Sequence, residues 1–357
     1  MKRVLDRRRA DGASGRKAQA VCVALRDYIR KHYREGDALM PIRQLTKALG
    51  ASITTVGGAL RQLHLAGLLE VNHGERTRVT ALALKTRVGI LTSANLAHPN
   101  ASEYGRHLVC ALLEALQGAG FEVALYCGLN APWACTTENV PWNFLNDARC
   151  GTVDAVVVTG NHGTAGLGLC ESLGIPVIGI LEDYPAFVSF DGPGMVRSGI
   201  RALLEAGCRR VAMIAWDAGM AAMAKEALRR KGLATVPEWF RTQVHPLIPD
   251  AGYRLLGEVW DAHGEKPDGL LIADDAYAPG VARAIRERGI AVPAKLKVAA
   301  LGNKGLGFDW PFPVTVLEND PVKQARNLVE VLQVRLGMRE GSVKRILKCS
   351  TNKEPKR

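Results

Sequence analysis

Gly36-Asp37-Ala38-Leu39-Met40-Pro41-Ile42-Arg43-Gln44-Leu45, then Ser52-Ile53-Thr54-Thr55-Val56-Gly57-Gly58-Ala59-Leu60, then His73-Gly74-Glu75-Arg76-Thr77-Arg78-Val79 decide the fold of the N-terminal region. Pro41 has a fixed φ that suits the first turn of a helix. Ile42, Leu45, Ala48 and Leu49 give that helix one apolar face, and Gly50 closes it. Ser52 is placed to cap a following helix whose inward face is Val56, Leu60 and Leu63. Gly67 ends that helix. Leu68–Val71 reads as a strand, His73-Gly74 as a turn, and Thr77–Val79 as the returning strand. Upstream, Val21, Leu25, Tyr28 and Ile29 recur at helical spacing, which predicts a helix over 17–33. Three helices and a hairpin with a basic tip, in this order, predict a winged helix over residues 18–82.

The charge is concentrated at the same end. Residues 1–87 hold 18 Lys and Arg against 7 Asp and Glu, a net +11 out of +12 for the whole chain. Residues 88–357 hold 29 against 28. One end is therefore suited to a polyanion, with double-stranded DNA as the expected partner. Residues 1–17 are basic and contain Gly and Ser, which predicts a disordered tail; a DNA-contacting arm is the alternative. Residues 83–87 read as a linker.

After Lys85 the pattern changes to apolar strand-like runs alternating with helix-like segments. The predicted strands are 88–92, 123–126, 155–159, 177–180, 211–214, 269–273 and 298–301. The predicted helices are 103–119, 163–174, 194–206, 218–231, 250–263, 276–288 and 321–338. The strands lack polar alternation, so both faces are expected to be buried under helices, as in parallel sheets. This predicts an α/β body of two doubly wound lobes over residues 88–348, followed by a basic tail over 349–357.

Several function classes are disfavoured. The eight cysteines are scattered without Cys-x-x-Cys spacing, so neither a metal site nor a disulfide framework is expected. No apolar run reaches signal-peptide or membrane-span length, and the expectation is a cytoplasmic protein with no membrane partner. Gly160-Asn161-His162-Gly163-Thr164-Ala165-Gly166 follows a strand but has neither Gly-Lys-[Ser/Thr] nor Gly-x-Gly-x-x-Gly spacing. It reads as a turn at the rim of a cleft. No cofactor is expected. A Gly-x-Ser-x-Gly elbow and His-Glu-x-x-His are also missing, which argues against an enzyme. An enzyme with a doubly wound catalytic domain fused to a nucleic-acid-binding head is the alternative.

Residues 18–80 resemble the DNA-binding domain of the GntR family of transcription regulators, through the three blocks quoted above. Residues 87–350 resemble the effector-binding domain of the LacI/GalR repressors, which is periplasmic-binding-protein-like. That resemblance rests on Val188-Ser189-Phe190-Asp191, on Ala206-Gly207-Cys208-Arg209-Arg210-Val211-Ala212-Met213-Ile214, on Ile272-Ala273-Asp274-Asp275-Ala276-Tyr277-Ala278, and on Val314-Thr315-Val316-Leu317-Glu318-Asn319-Asp320. A GntR-type head on a LacI-type body is similar in plan to the arabinose repressors. The resemblance implies a homodimeric transcription regulator, most often a repressor, that binds an operator and a small-molecule effector such as a sugar. Three positions depart from the pattern. Ile53 and Gly57 stand where the family usually has arginines. Asn303 or Lys304 replaces the usual sugar-binding acid. The Arg-x-x-Gly-Phe clamp expected after Trp216 is not apparent there, with Arg229 or Arg230 as stand-ins.

The candidate DNA contacts are Arg43, Ser52, Thr54, Thr55, Arg61, His73, Gly74, Arg76 and Arg78. Arginines can bridge phosphate oxygens, and hydroxyls at a helix start can reach backbone or bases. Each has a plain alternative: surface ion pairs for the arginines, capping for Ser52, and turn formation for His73. The candidate ligand contacts are Ser93, Asn95, Asp191, Trp216, Asp274, Asn303 and Asn319, which follow or end strands, where ligands of such sheets sit. Trp216 could stack on a ligand's apolar face. Their alternative is capping, with Asp191 at the head of a helix.

Overall fold

The computed structural model describes residues 19–72, 74–92, 95–98, 101–128, 140–160, 164–243, 248, 250–262 and 264–353. The tail expected over 1–17 lies outside them.

The head holds α1 (residues 19–32), α2 (Ile42–Leu49) and α3 (Ile53–Leu65). The wing is β1 (Leu69–Glu70) paired antiparallel with β2 (Arg78–Val79), Leu69 opposite Val79. Ala38 bridges to Arg78, so the turn before α2 joins the wing. Leu25, Ile29, Leu45, Val56, Leu63 and Leu69 form the core. Leu60, expected to face inward, is only partly buried; Ala59 takes that place. Gly50 ends α2 with φ 62°, a left-handed conformation that glycine adopts without a Cβ penalty. A short α4 (Ala81–Leu84) buries Ala83 in the same core, with Leu82 and Leu84 packed on it. The expected linker over 83–87 is therefore shorter, because apolar side chains draw its first residues into the head.

The first lobe contains β3 (Arg87–Thr92), α5 (Glu103–Gly118), β4 (Glu122–Cys127), α6 (Trp142–Arg149), β5 (Ala155–Val158), α7 (Thr164–Ser172), β6 (Val177–Gly179) and β7 (Phe187–Phe190). The second contains α8 (Gly192–Glu205), β8 (Val211–Ala215), α9 (Ala218–Arg229), β9 (Phe240–Thr242), α10 (Ala251–Asp261), β10 (Gly269–Ile272), α11 (Ala278–Glu287), β11 (Lys297–Asn303) and β12 (Val314–Asn319). The chain then returns. α12 (Pro321–Arg335) packs on α5 in the first lobe, β13 (Lys344–Leu347) pairs with β7, and β14 (Ser350–Lys353) pairs with β12 in the second. The sheet orders are β13-β7-β6-β5-β3-β4 and β14-β12-β11-β10-β8-β9. Every pairing in the two sheets is parallel except that of β14 with β12. Every residue of β5, β8 and β10 is buried, as strands covered on both faces should be. The expected free tail over 349–357 is corrected: residues 350–353 are a strand, held by backbone pairing to β12.

Among the described residues the chain crosses between lobes three times, after Phe190, after Asn319 and after Leu347. α10 and α11 meet backbone to backbone. A Cβ on Gly252 would lie 2.2 Å from the Tyr277 carbonyl oxygen, so only glycine permits the contact.

The head is clamped to the first lobe. The Arg26 guanidinium, buried at 2% exposure, donates to both carboxylate oxygens of Asp154 at 3.1 and 2.9 Å. Arg30 donates to the same two oxygens, each at 2.8 Å, and the Arg87 backbone N–H adds a bond of 2.7 Å. Arg26 also donates to the Gly151 carbonyl. Arg30 reaches the carbonyls of Ala83 and Lys85. Burial alone would raise the Asp154 pKa, but the arginines and the N–H hold it below the usual carboxylate range. Cys150 of the body completes the head's apolar core beside Cys22.

Candidate functional site

The head presents two helix starts and a wing. Arg43 is exposed in the first turn of α2. Ser52 caps α3: its Oγ accepts the Thr55 N–H at 3.2 Å and lies 2.8 Å from the Thr55 hydroxyl. The capping alternative therefore holds for Ser52. A Ser52→Ala chain should lose about 1 kcal/mol in thermal unfolding. Ser52→Asp should keep the cap while adding a charge that weakens DNA binding, so the two substitutions separate structure from contact.

Thr54, Gly58 and Arg61 share one face of α3 by their spacing. That face is open, with nothing within 4 Å of where a Gly58 Cβ would stand. Ile53 beside it is 52% exposed. Thr54, Arg61, Gly74 and Arg76 are all exposed. Arg78 is exposed too, but its guanidinium donates to the Gly36 carbonyl at 2.9 Å and ties the wing to the turn before α2. His73 and Ser93 lie outside the described residues.

The second site is a cleft between the lobes, beyond the carboxyl ends of the strands, as doubly wound sheets dictate. It has an inner chamber of about 440 Å³ and an outer one of about 770 Å³, which share Ser102, Asp275, Ala276, Leu301 and Asn303. The inner chamber brings together Asp191, Trp216, Asp274, Asn303 and Asn319 of the predicted set. Asn95 lines neither chamber. Its Oδ1 accepts the Ala97 N–H at 3.0 Å, so it serves a turn. Asp191 also caps α8 through the Gly194 N–H at 2.7 Å, and its cap and its place in the cleft coexist.

The polar floor comes from both lobes. The Tyr104 hydroxyl on α5 donates to Gln324 Oε1 on α12, and Gln324 Nε2 donates to the Val188 carbonyl at 2.8 Å. Burial pushes the Tyr104 phenol well above its ordinary pKa. Across the cleft, Asp274 accepts the Ala276 N–H at 2.9 Å, and Asn303 Nδ2 donates to Asp275 at 2.7 Å. Burial, with the charge of Asp275 adjoining, pushes the Asp274 carboxyl up to about 7. Burial also raises Asp275, offset in part by the Asn303 hydrogen bond. The two acids titrate as a pair, both held above the usual carboxylate range. Trp216, Met220, Met223 and Met195 give the same chamber an apolar lining.

The predicted set omitted Asp275, Tyr104, Gln324 and Glu182, all of which line the inner chamber. Asp275 stands beside Asp274 in the 272–278 block, which the resemblance already puts at the cleft. Tyr104 and Gln324 stand 220 residues apart, and no local pattern links them.

Residues 17–79 match the sequence family described as bacterial regulatory proteins, gntR family. Residues 200–354 match the periplasmic binding protein-like domain. The HTH-type transcriptional regulator GanR of Bacillus subtilis (strain 168) is 29% identical over 94 residues, which cover 26% of this chain and 28% of GanR. The match thus spans little more than a quarter of that relative. Among solved structures, the transcriptional regulator CelR–cellobiose complex superposes with a TM-score of 0.60 at 17% identity, covering 88% of this chain and 98% of that one. The trehalose repressor from Escherichia coli gives 0.58 at 18% identity, covering 75% and 100%. These likenesses show the fold of a two-lobed α/β body. The chain joins a GntR-type helix-turn-helix domain to a periplasmic-binding-protein-like domain.

Proposed function

We propose that this chain is a DNA-binding transcriptional regulator, acting as a repressor, whose operator affinity is set by a small polar ligand held between its lobes. The observation that carries this reading is the clamp at Asp154. A basic head is fixed to one lobe of a two-lobed cleft, so a ligand that closes the lobes changes where the head points. Two such chains related by a two-fold axis would match a pseudo-palindromic operator. A cytoplasmic place follows from that partner. The cellobiose and trehalose in the names of the solved neighbours favour a carbohydrate-sized ligand. The relatives and solved structures named are regulators rather than enzymes, which counts against a fused enzyme.

The test is binding of the full chain to its own promoter DNA by fluorescence anisotropy at several salt concentrations. Log K should fall with log salt, and each phosphate contact removed should flatten the slope by about 0.9. Arg43→Ala, Arg61→Ala and Arg76→Ala together should cost roughly 100-fold or more in affinity at about 100 mM salt. Arg78→Ala should act mainly on stability, because its guanidinium is engaged at Gly36. A wild-type chain with no salt dependence would sink the proposal.

A further inference from the structure

We infer that the ligand of this cleft carries a protonated amine, seated at the Asp274–Asp275 pair, on a small hydroxylated frame whose apolar face lies on Trp216 and Met220. This rests on the reading that the cleft holds the regulatory ligand, and it names that ligand's class.

Charge comes first. The inner chamber is lined by five acidic side chains, Glu182, Asp191, Asp217, Asp274 and Asp275, and by no lysine or arginine among the described residues. Three of the five have local duties. Glu182 accepts the Ser189 hydroxyl at 3.2 Å, Asp191 has Arg197 at 3.9 Å, and Asp217 caps α9 through the Met220 N–H at 3.0 Å. Asp274 and Asp275 have only amide donors and each other. The arginine of the outer chamber, Arg283, is engaged by Asp250 at 2.5 Å. A phosphorylated or carboxylated ligand would enter a field of its own sign. A cation enters a field that attracts it, and the low-dielectric walls strengthen that attraction.

A second observation concerns the amide beside the acids. Asn303 is 5% exposed and lines both chambers. Its Nδ2 is engaged by Asp275, while its Oδ1 takes no hydrogen bond from a described residue. Asn303 Oδ1 can accept a hydrogen bond from a ligand in either chamber. Asp275 and Asn303 Oδ1 together ask for N–H groups, which an ammonium supplies threefold.

The cation is organic rather than metallic. Among the described residues no three His, Cys, Asp or Glu side chains converge closely enough to hold a metal ion. The same chamber carries indole and thioether groups, Trp216, Met195, Met220 and Met223, which suit the C–H face of a ring and the flank of an ammonium. About 440 Å³ accommodates one or two sugar-sized rings.

The experiment is calorimetric titration of the full chain with D-glucosamine, D-galactosamine, their neutral parents glucose and galactose, and glucose 6-phosphate. At least one amino sugar should bind tenfold or more tightly than its parent, and glucose 6-phosphate should give no heat. An Asp274→Asn/Asp275→Asn chain, checked for an unchanged circular dichroism spectrum, should lose the preference for the amine. Three results overturn the proposal: equal affinity for parent and amine, binding of the sugar phosphate, or no binding by either amino sugar. Promoter affinity is measured in parallel. Binding of a neutral sugar that shifts promoter affinity leaves the regulatory reading standing and removes the amine. Binding of an amino sugar without any shift in promoter affinity does the reverse.

Discussion

In an Asp154→Ala chain, the head is expected to come loose from the body before anything else unfolds. The substitution removes the acceptor of four arginine hydrogen bonds and one backbone N–H at once. Arg26 is then left at 2% exposure without a counter-ion, and an unpaired buried charge costs about 3–5 kcal/mol. The chain relieves that cost by exposing α1 to water, which separates the head's core from Cys150 and Gly151. Calorimetry should show a new, earlier transition, and limited proteolysis should cut faster near 84–87 than in the wild-type chain. Replacing Arg26 and Asp154 together by leucine removes the charge along with its partner, so much of the loss should be recovered. The double-mutant cycle then reports the coupling across the seam. Loss of ligand control over DNA binding, with both binding activities retained separately, would tie the clamp to signalling. An Asp154→Ala chain with wild-type unfolding would show that the seam contributes nothing to stability.

The second large effect is a pH dependence. An aspartate in the unfolded chain releases its proton near 3.8, whereas Asp274 in the fold keeps it to about 7. Between those values the folded chain binds the extra proton. The contribution of this group to stability is therefore full below about pH 4 and lost as pH rises through about 7. A separation of one pH unit between folded and unfolded titration is worth about 1.4 kcal/mol, so a swing of roughly 2 kcal/mol or more is expected even with sharing between the two acids. An asparagine at this position would be neutral throughout. The Asp274→Asn chain should match the wild type near pH 4 and exceed it at pH 8, by roughly 2–4 °C per kcal/mol. Differential scanning at both pH values reads the crossover, and the difference between chains removes every other titrating group. A parallel decline of both chains would contradict the account of Asp274. A cationic ligand should narrow the gap at pH 8, since it supplies the charge that the pair lacks.

Much of the architecture could be read directly. The seven apolar runs became β3, β4, β5, β6, β8, β10 and β11, because strands buried on both faces leave an uninterrupted signal. The residues whose structure depends on distant partners were harder. β13, Lys344-Arg345-Ile346-Leu347, is charged and short, and only pairing with β7 makes it a strand. α6 carries two asparagines in eight residues, a weak helix former that Phe144 and Ala148 hold by burial. In the cleft, Trp216, Asp274 and Asn319 were legible because they follow or end strands, and Asn303 through the resemblance. Asn95 also follows a strand, yet it turns back on Ala97, a choice that spacing does not reveal. The clamp was hidden for a different reason. Arg26 looks like one more basic residue on a surface helix until Asp154, 128 residues away, arrives beneath it.

The three crossings between lobes have a consequence for synthesis. The first lobe is interrupted after Phe190 and is completed only when α12 and β13 arrive, ending at Leu347. At about 5–20 residues per second, that interval lasts ~10–30 s on the ribosome. Throughout it β7 has a bare edge and the α5 face meant for α12 is uncovered. The second lobe, by contrast, emerges almost unbroken and lacks only β14. The part made first is thus finished nearly last and is exposed longest to chaperones and to wrong partners. A frameshift or nick close to the C-terminus would therefore damage the lobe nearest the N-terminus.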